Sequence, residues 1–404
     1  MIELLAPAGN FERLETALYF GADAVYLSYK KYGLRAFADN FDLDQLARAV
    51  KYVHDRNKKI YITVNIFAHD ADFSEIADFM RFLEEVKPDG AIVSDLGIAA
   101  LMKKYAPSVP LHLSTQANLT NKYAAREYVN YGFKRLVTAR ELSLDEIRKI
   151  RDFLPSDVEI EAFVHGAMCI SYSGRCLLSN FLTGRNGNHG ECAQSCRWEY
   201  TLKEKHRDDE LPIEEDERGT YILNSKDMNM IEHLDKLIDA GVTSFKIEGR
   251  VKTSYYVASV VNCYRRALDW YFAHGKPYNP PAEILEDIKK PSHRMYCTGF
   301  YLNDTVNNEC YDTSKPRQEY DFAALVLGSF EGGAVIEMRN RFRKGDELEV
   351  LSPGPGHNSV IKVDKMEDEA SAPVYDAMLV KQKLRLFTSV PLSKGDILRK
   401  KASV

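Results

Sequence analysis

Short apolar runs alternate with amphipathic stretches along the first 165 residues of the chain. For example, the run IYITV at 60–64 precedes FSEIADFMRFLEEV at 73–86, where apolar positions recur with helical spacing. An uninterrupted apolar run is typical of a strand in a parallel sheet that is covered on both faces. The pattern therefore predicts repeated strand–helix units.

Seven such strands are predicted, and they end in VEIEAFVHG at 158–166. The alternation stops after Gly166 and resumes with a helix at 227–241, an eighth strand at 243–249 and a long helix at 254–275. Eight strand–helix units predict an α/β fold of the (β/α)8 TIM-like barrel type. A doubly wound open sheet is the alternative, and it is disfavoured because no glycine-rich dinucleotide fingerprint follows the first strand.

The change of pattern along the chain predicts three parts. Residues 1–273 form the barrel, which includes a cysteine-rich insertion at 166–227. Residues 274–320 are rich in Pro, Asn and Tyr and are predicted to be an extended linker. In 321–404, short alternating runs are separated by glycine-containing turns, which predicts a small antiparallel β-barrel domain.

Composition narrows the class of protein. The chain has 404 residues, of which 45% are hydrophobic and 28% are charged, as in ordinary globular proteins. We expect a cytoplasmic protein without a membrane segment, because there is no signal-peptide pattern and no long apolar stretch. The net charge of -5 argues against a strongly electrostatic nucleic-acid binder but is compatible with a local basic face.

Four of the seven cysteines lie between Cys169 and Cys196, with the spacing C-x6-C-x15-C-x3-C. Structural zinc sites use short pairs, and only the second pair here is short. Disulfides are disfavoured in the expected compartment. An iron–sulfur cluster accepts irregular loop spacing, so the pattern favours a cluster over zinc and over unliganded thiols. Because the segment follows the seventh strand, at the rim where barrel enzymes build their sites, a metal centre there is predicted to be catalytic.

Two stretches of the C-terminal part combine basic and aromatic residues. They are RNRFRKGD at 339–346, around Phe342, and LVKQKLRLF at 379–387. Such stretches could contact phosphates and a stacked base, and a plain solvated strand face is an equal alternative.

The chain resembles the U32 peptidase, or collagenase-like, family. The resemblance is carried by EAFVHGAMCISYSGRCLLS at 161–179, GNHGECAQSCRWEY at 187–200 and FKIEGRVKTSYYV at 245–257, and similar motifs extend over nearly the whole chain. The branch with a C-terminal β-barrel is similar to the bacterial tRNA hydroxylation proteins. The resemblance implies an oxygen-independent tRNA hydroxylase that forms 5-hydroxyuridine at the wobble position. Other branches act on ribosomal RNA or on a quinone precursor.

The same resemblance implies a [4Fe-4S] cluster held by Cys169, Cys176, Cys192 and Cys196, and prephenate as the oxygen donor. It also implies tRNA as a partner. A smaller U32 paralogue is a possible heterodimer partner.

Side chains at strand ends are the candidates for holding a carboxylate donor and a base. Arg140 and Arg250 are the first choices for the carboxylate, and Lys226 is the third, since Arg gives bidentate geometry. The full set of predicted substrate-binding residues is Asn65, Asp95, Ser114, Gln116, Asn118, Arg140, Glu141, Lys226 and Arg250.

His165, Asp227 and Glu248 are the predicted catalytic residues, with His165 as a proton carrier. Structural alternatives stay open for several candidates. Asp95 could cap a helix, Glu248 could pair with a neighbouring cation, and His165 could be a satisfied rim histidine.

Proteolysis is the alternative activity, because the family name includes it. A metalloprotease would need a helical H-E-x-x-H motif and a serine hydrolase a G-x-S-x-G elbow, and neither occurs. His165 and His189 flank the cysteines, but thiols that hold a metal group leave no nucleophile for a cysteine protease.

Overall fold

The computed structural model describes residues 2–34, 39–169, 171–172, 175–198, 215–216, 219–220, 226–302 and 317–402. Parts of the predicted insertion 166–227 and of the linker 274–320 lie outside these described residues. The last two residues of the predicted C-terminal domain also lie outside them.

The described strands up to residue 302 are β1 (Glu3–Pro7), β2 (Ala24–Ser28), β3 (Lys59–Val64), β4 (Gly90–Val93), β5 (Leu111–Leu113), β6 (Phe133–Val137), β7 (Glu159–Ala167), β8 (Glu215–Asp216), β9 (Gly219–Thr220), β10 (Asp227–Asn229), β11 (Ser244–Ile247) and β12 (Tyr296–Cys297). Strands β1 to β7 pair in parallel in chain order, and β11 pairs in parallel with both β7 and β1. This closes an eight-stranded barrel and confirms the predicted fold class. Strand β10 pairs antiparallel with β7, and β12 pairs in parallel with β10.

The helices that surround or follow the strands are α1 (Phe11–Tyr19), α2 (Leu43–His54), α3 (Ile76–Val86), α4 (Leu96–Tyr105), α5 (Lys122–Tyr131), α6 (Leu144–Phe153), α7 (Leu178–Thr183), α8 (Leu234–Asp239), α9 (Ser254–His274) and α10 (Ala282–Asp287). Local sequence explains where several of them begin. Asn10 accepts a hydrogen bond from the Arg13 amide, and Ser143 forms a capping box with Glu146. These caps fix where α1 and α6 begin, at the carboxyl ends of the strands that precede them.

Charged side chains on β1, β6, β7 and β11 fill part of the barrel interior. The Arg135 guanidinium lies 2.6 Å from Glu3 and 3.1 Å from Glu161, and it is 1% exposed. The Lys246 ammonium lies 2.6 Å from the other oxygen of Glu161. Buried charges are tolerated when they are paired and hydrogen-bonded, and this network meets both conditions.

The C-terminal part is all-β and antiparallel, as predicted. Its strands are β13 (Tyr320–Phe330), β14 (Gly333–Met338), β15 (Phe342–Arg343), β16 (Glu347–Leu351), β17 (Val360–Lys362), β18 (Met366–Glu367), β19 (Asp376–Ala377), β20 (Lys383–Phe387) and β21 (Ile397–Lys401). Seven of them form one sheet, in the order β17-β16-β21-β13-β14-β20-β18, and β15 pairs with β19 in a separate ribbon. The sheet encloses its own apolar core, which includes Phe342, Leu348 and Leu386.

The predicted extended linker differs from the structure over its described part. Residues 274–302 include the end of α9, helix α10 and strand β12, because apolar residues such as Ile284 and Ile288 pack into the main core. Asp287 at the end of α10 contacts Arg399 of β21 at 3.2 Å and His357 at 2.9 Å. This ion cluster joins the barrel to the C-terminal domain.

Candidate active site

A cavity of about 130 Å³ opens at the carboxyl ends of the barrel strands. Its walls come from two sources, the strand ends and the cysteine-rich segment that follows β7. Its lining residues are Tyr26, Leu34, Thr63, Asn65, Ile92, Ser114, Thr115, Gln116, Arg140, Phe163, Cys169, Ser171, Tyr172, Cys176, Ser179, Gly187, Asn188, Cys192, Cys196, Lys246, Glu248 and Arg250.

The four predicted metal-binding cysteines, Cys169, Cys176, Cys192 and Cys196, all line this one cavity. Cys169 follows β7, Cys176 precedes α7, and the other two lie in the turns after α7. Among the described residues none of the four forms a disulfide, and all four are at least partly exposed. The structure therefore brings together four sulfurs that could hold a metal group, and it brings them to the rim of the barrel.

Hydrogen bonds within the segment hold this arrangement. The buried Ser179 hydroxyl accepts from the Ala193 amide at 2.9 Å and donates to the carbonyl of Arg185. The Asn188 side chain donates to the carbonyl of Cys176 at 3.1 Å. The carbonyl of Asn188 in turn accepts from the amide of Phe67 beyond β3. The cysteine turns are thus fastened both to one another and to the barrel.

Positive charge lies beside the thiols in the cavity wall. Arg140 is buried, donates to the carbonyl of Ala167 at 2.9 Å and hydrogen-bonds Cys169. Burial alone would lower the pKa of Arg140, but the nearby charges of Cys169 and Glu141 outweigh it and raise that pKa. The guanidinium therefore stays charged. Arg250, also buried, lies 3.4 Å from the Thr63 hydroxyl.

Amide, hydroxyl and carboxylate groups complete the wall of the cavity. The amide nitrogen of Asn65 donates to the Ser114 hydroxyl at 3.3 Å, while its oxygen accepts from the Leu34 amide. The Gln116 side-chain oxygen is inaccessible to solvent and has no hydrogen-bond partner among the described residues. Glu248 accepts from the Tyr26 hydroxyl at 3.3 Å. Cations, one carboxylate and several amides together suit a polar, anionic ligand.

Of the predicted substrate-binding and catalytic residues, six line the cavity: Asn65, Ser114, Gln116, Arg140, Glu248 and Arg250. The other predicted residues lie elsewhere. Asp95 caps α4 by accepting from the Ile98 amide at 2.9 Å. Asn118 has a left-handed backbone, with φ of 55°, and closes the turn before α5.

Glu141 and Lys226 are absent from the cavity lining, although Glu141 is next to Arg140 in the chain. Asp227 lies in β10, where its carboxylate accepts from the Arg294 amide at 3.1 Å and is 3.5 Å from the Arg294 guanidinium. Its partner Arg294 therefore lies in the segment just before β12 rather than in the cavity lining.

His165 also lies away from the cavity lining, and its ring packs among Tyr256, Tyr264 and Tyr296. Burial, reinforced by His293 and only partly opposed by Asp227, lowers the pKa of His165 to about 3. Its side chain is 1% exposed, and its Nε2 atom has no hydrogen-bond partner among the described residues. The imidazole is therefore neutral at physiological pH.

The structure adds lining residues that sequence reasoning missed, among them Tyr26, Thr63, Phe163 and Lys246. One of these residues, Lys246, could have been recognised from the sequence. Lys246 interrupts the apolar strand SFKI of β11, and a lysine inside a barrel strand needs a buried partner. The others are residues ordinary in strands, so their inward direction follows only from the closed barrel.

Comparison with known proteins finds matches along the chain. Residues 9–310 match peptidase family U32, and residues 318–399 match the peptidase family U32 C-terminal domain. The tRNA hydroxylation protein P1 of Bacillus subtilis is 38% identical over 401 residues, which cover 97% of this chain and 94% of that protein.

Two further relatives carry different names. The 23S rRNA 5-hydroxycytidine C2501 synthase of Escherichia coli is 40% identical over 268 residues, which cover 66% of this chain and 39% of that protein. A collagenase of Porphyromonas gingivalis is 32% identical and covers 91% of this chain and 89% of its own length. Among the described helices, none combines the length and apolar character needed to cross a membrane.

Proposed function

Because the chain belongs to peptidase family U32, and because its relatives include RNA-hydroxylating proteins, we propose that it hydroxylates tRNA. The product we propose is 5-hydroxyuridine at the wobble position. The observation that carries this proposal is the convergence of four thiols and two buried arginines on one cavity at the mouth of the barrel. Replacing a ring C–H bond by C–OH is an oxidation, so a site for a redox-active group beside a polar pocket is the arrangement that it needs.

The donor set supports an iron–sulfur cluster over a single zinc ion. A tetrahedral zinc site has Zn–S bonds of about 2.3 Å, which place its sulfurs about 3.8 Å apart. Among the described residues, no three possible ligand atoms of Cys, His, Asp or Glu at this cavity lie within 4.8 Å of one another. Four thiols that share a cavity but stand further apart fit a larger group, and we propose a [4Fe-4S] cluster held by Cys169, Cys176, Cys192 and Cys196. When bound, the cluster would supply electron transfer or Lewis-acid chemistry.

The two cavity arginines have a binding role in this proposal. We propose that Arg140 and Arg250 hold the carboxylates of prephenate, which supplies the oxygen atom in place of dioxygen. Both guanidiniums are buried, and an Arg–carboxylate pair is strongest where water is excluded. Asn65, Ser114 and Gln116 offer the amide and hydroxyl groups that a uracil edge requires.

Proteolysis is less well supported by the cavity. None of its lining residues is a histidine, and the ring of His189, which follows the lining residue Asn188, lies 3.2 Å from Asp72. The role of a smaller U32 paralogue as a heterodimer partner stays a prediction.

The deciding experiment is nucleoside analysis of tRNA from a strain that lacks the gene. We expect 5-hydroxyuridine derivatives to disappear and to return with the wild-type gene, but not with an Arg140→Gln variant. Unchanged levels in the deletion strain would contradict the tRNA assignment. Gelatin cleavage by purified protein that persists after loss of all four thiols would favour the protease instead.

A further inference from the structure

The C-terminal domain carries a basic surface with exposed apolar side chains, built from loops 339–344 and 375–383 and here termed the basic ribbon face. Strand β15 of the first loop pairs with β19 of the second, so the two loops lie side by side. Its exposed cations are Arg341, Arg343, Lys344, Lys381 and Lys383. We propose that this face binds the phosphate backbone of the RNA whose base enters the cavity, an inference that rests on the proposed function.

The charge of this face is the first argument. Asp376 pairs with Arg341, and Asp346 pairs with Lys400 at 2.7 Å and lies 4.0 Å from Arg343. Within the described part of the chain, no carboxylate lies within salt-bridge distance of Lys344, Lys381 or Lys383. The face therefore keeps a surplus of positive charge on a chain whose net charge is -5.

The exposed ring on this face is the second argument. Phe342 cannot stack on a base, since it is 0% exposed and belongs to the domain core. The facing segment supplies the aromatic group instead, through Tyr375, whose carbonyl accepts from the Lys344 amide. Tyr375 is 65% exposed, and the Lys344 ammonium lies 5.9 Å from its ring centroid. An exposed ring beside unpaired lysines is the combination that single-stranded nucleic acid uses for stacking and phosphate contact.

Exposed apolar residues continue the face beyond the ring. Met378, Leu379 and Val380 are each more than half exposed and follow one another directly. Apolar side chains of this kind can insert beside unstacked bases in protein–nucleic acid complexes. The flanking lysines favour RNA over an uncharged partner surface.

The position of the face relative to the cavity is the third argument. The Arg339 guanidinium makes two contacts of 3.1 Å with Glu12, at the start of α1. The next residue, Arg13, donates to the backbone carbonyl of Arg250, and Arg250 lines the cavity. The basic ribbon face thus begins a few residues from the cavity rim, and an RNA strand on it could place a base at the mouth.

The test compares two variants that lose the same number of positive charges. The first is Arg343→Gln/Lys344→Gln/Lys381→Gln/Lys383→Gln. The control is Arg56→Gln/Lys104→Gln/Lys134→Gln/Lys149→Gln, whose exposed side chains lie at the amino end of the barrel or on its outer helices. Thermal unfolding checks that both variants fold.

Fluorescence anisotropy with labelled tRNA, over a series of KCl concentrations, measures affinity and its salt dependence. We expect the first variant to bind about tenfold more weakly or worse, with the slope of log K against log[salt] reduced by about 3. The control is expected to match the wild type. A Tyr375→Leu variant, which keeps an apolar side chain, is expected to bind about fivefold more weakly because a stacking ring is lost.

Equal affinity and equal slope for the wild type and the first variant would overturn the proposal. Binding of the wild type to anionic phospholipid vesicles, without binding to tRNA, would also overturn it in favour of a membrane surface. The binding assay is independent of hydroxylation. Loss of tRNA binding in the first variant together with unchanged nucleosides in the deletion strain would support the face and reject the proposed activity.

Discussion

The ammonium group of Lys246 lies 2.6 Å from Oε1 of Glu161, and both side chains are buried inside the barrel. Oε2 of the same carboxylate lies 3.1 Å from Arg135. Glu161 therefore contacts two cations. Arg135 also pairs with Glu3, whereas Lys246 reaches the cavity. The stability of the barrel and the positive charge that Lys246 brings to the cavity therefore depend on the same cluster, Arg135, Glu161 and Lys246.

Breaking this cluster is expected to destabilise the barrel. Glu161→Gln removes the negative charge that faces two buried cations, and we expect a loss of about 3 kcal/mol in the free energy of unfolding. Lys246→Met should cost less, because Glu161 keeps Arg135 as a partner. The double variant should cost less than the two single changes together, since the partner group is no longer left unpaired. Urea unfolding followed by circular dichroism measures all three, and strict additivity would contradict the coupling.

The four cavity thiols are expected to behave as one unit in metal binding. Replacing any one of Cys169, Cys176, Cys192 or Cys196 by Ser should remove most of the iron and the brown colour of anaerobically purified protein. Cys263→Ala is the control, because burial raises the pKa of the Cys263 thiol to about 12 and keeps it protonated. Iron and zinc are measured by elemental analysis. Wild-type protein that is colourless and contains zinc would reject the cluster.

The buried imidazole of His165 is expected to make stability depend on pH. The pKa of His165 is about 3 in the folded protein and about 6.5 in an unfolded chain. Because folding keeps the group neutral, its contribution is complete above about pH 6.5 and is lost as the pH falls towards 3. We expect the stability of the wild type to decline over this range by up to about 1.4 kcal/mol per pH unit from this group.

A His165→Gln variant tests this expectation and the catalytic role together. Its stability should decline less steeply between pH 6.5 and 3, as measured by urea unfolding at a series of pH values. Since the ring does not line the cavity, we expect this variant to keep the pH profile of hydroxylation. An altered activity profile with unchanged stability would instead support the predicted proton carrier.

The junction between the two domains is expected to depend on Asp287. Burial alone would raise the pKa of Asp287, but hydrogen bonds from His357 and Lys290 and the charge of Arg399 outweigh it. The pKa therefore lies well below its usual range. The stabilisation is complete above the unfolded pKa of about 3.9 and is lost as the pH falls below it.

Asp287→Asn is expected to cost about 3 kcal/mol at neutral pH, because the buried Arg399 and its neighbour Lys290 each lose one of their two carboxylate partners. It should also remove part of the acid-induced loss of stability. Thermal unfolding and limited proteolysis between the domains measure these effects at neutral and acid pH. Asp269→Asn, which breaks an exposed pair with Arg265, is the control and should change little. Equal effects of the two substitutions would contradict the special role of Asp287.

Much of the barrel could be predicted because its strands and helix caps are specified by residues close together in the chain. Strands such as IYITV and caps such as Ser143 with Glu146 depend on neighbours in the chain, and the structure has them where the pattern indicates. The direction of a side chain at a strand end depends instead on how that strand pairs with strands distant in sequence. The pairing of β7 with β11 shifts register between Lys246 and Ile247, opposite His165, and a shift of one residue changes the face to which side chains point. The sequence therefore predicts His165 at the site, whereas in the structure its ring does not line the cavity.

The amino-acid sequence by itself determined the alternating strand–helix order, the all-β C-terminal part and the clustering of four cysteines after the seventh strand, because each depends on spacing along the chain. Only the tertiary structure decided which strand-end side chains face those thiols, which carboxylates neutralise Arg135 and Arg399, and that Tyr375 rather than Phe342 is exposed. These outcomes depend on barrel closure and on pairing between segments that are distant in sequence, and hydrophobic periodicity does not encode such contacts.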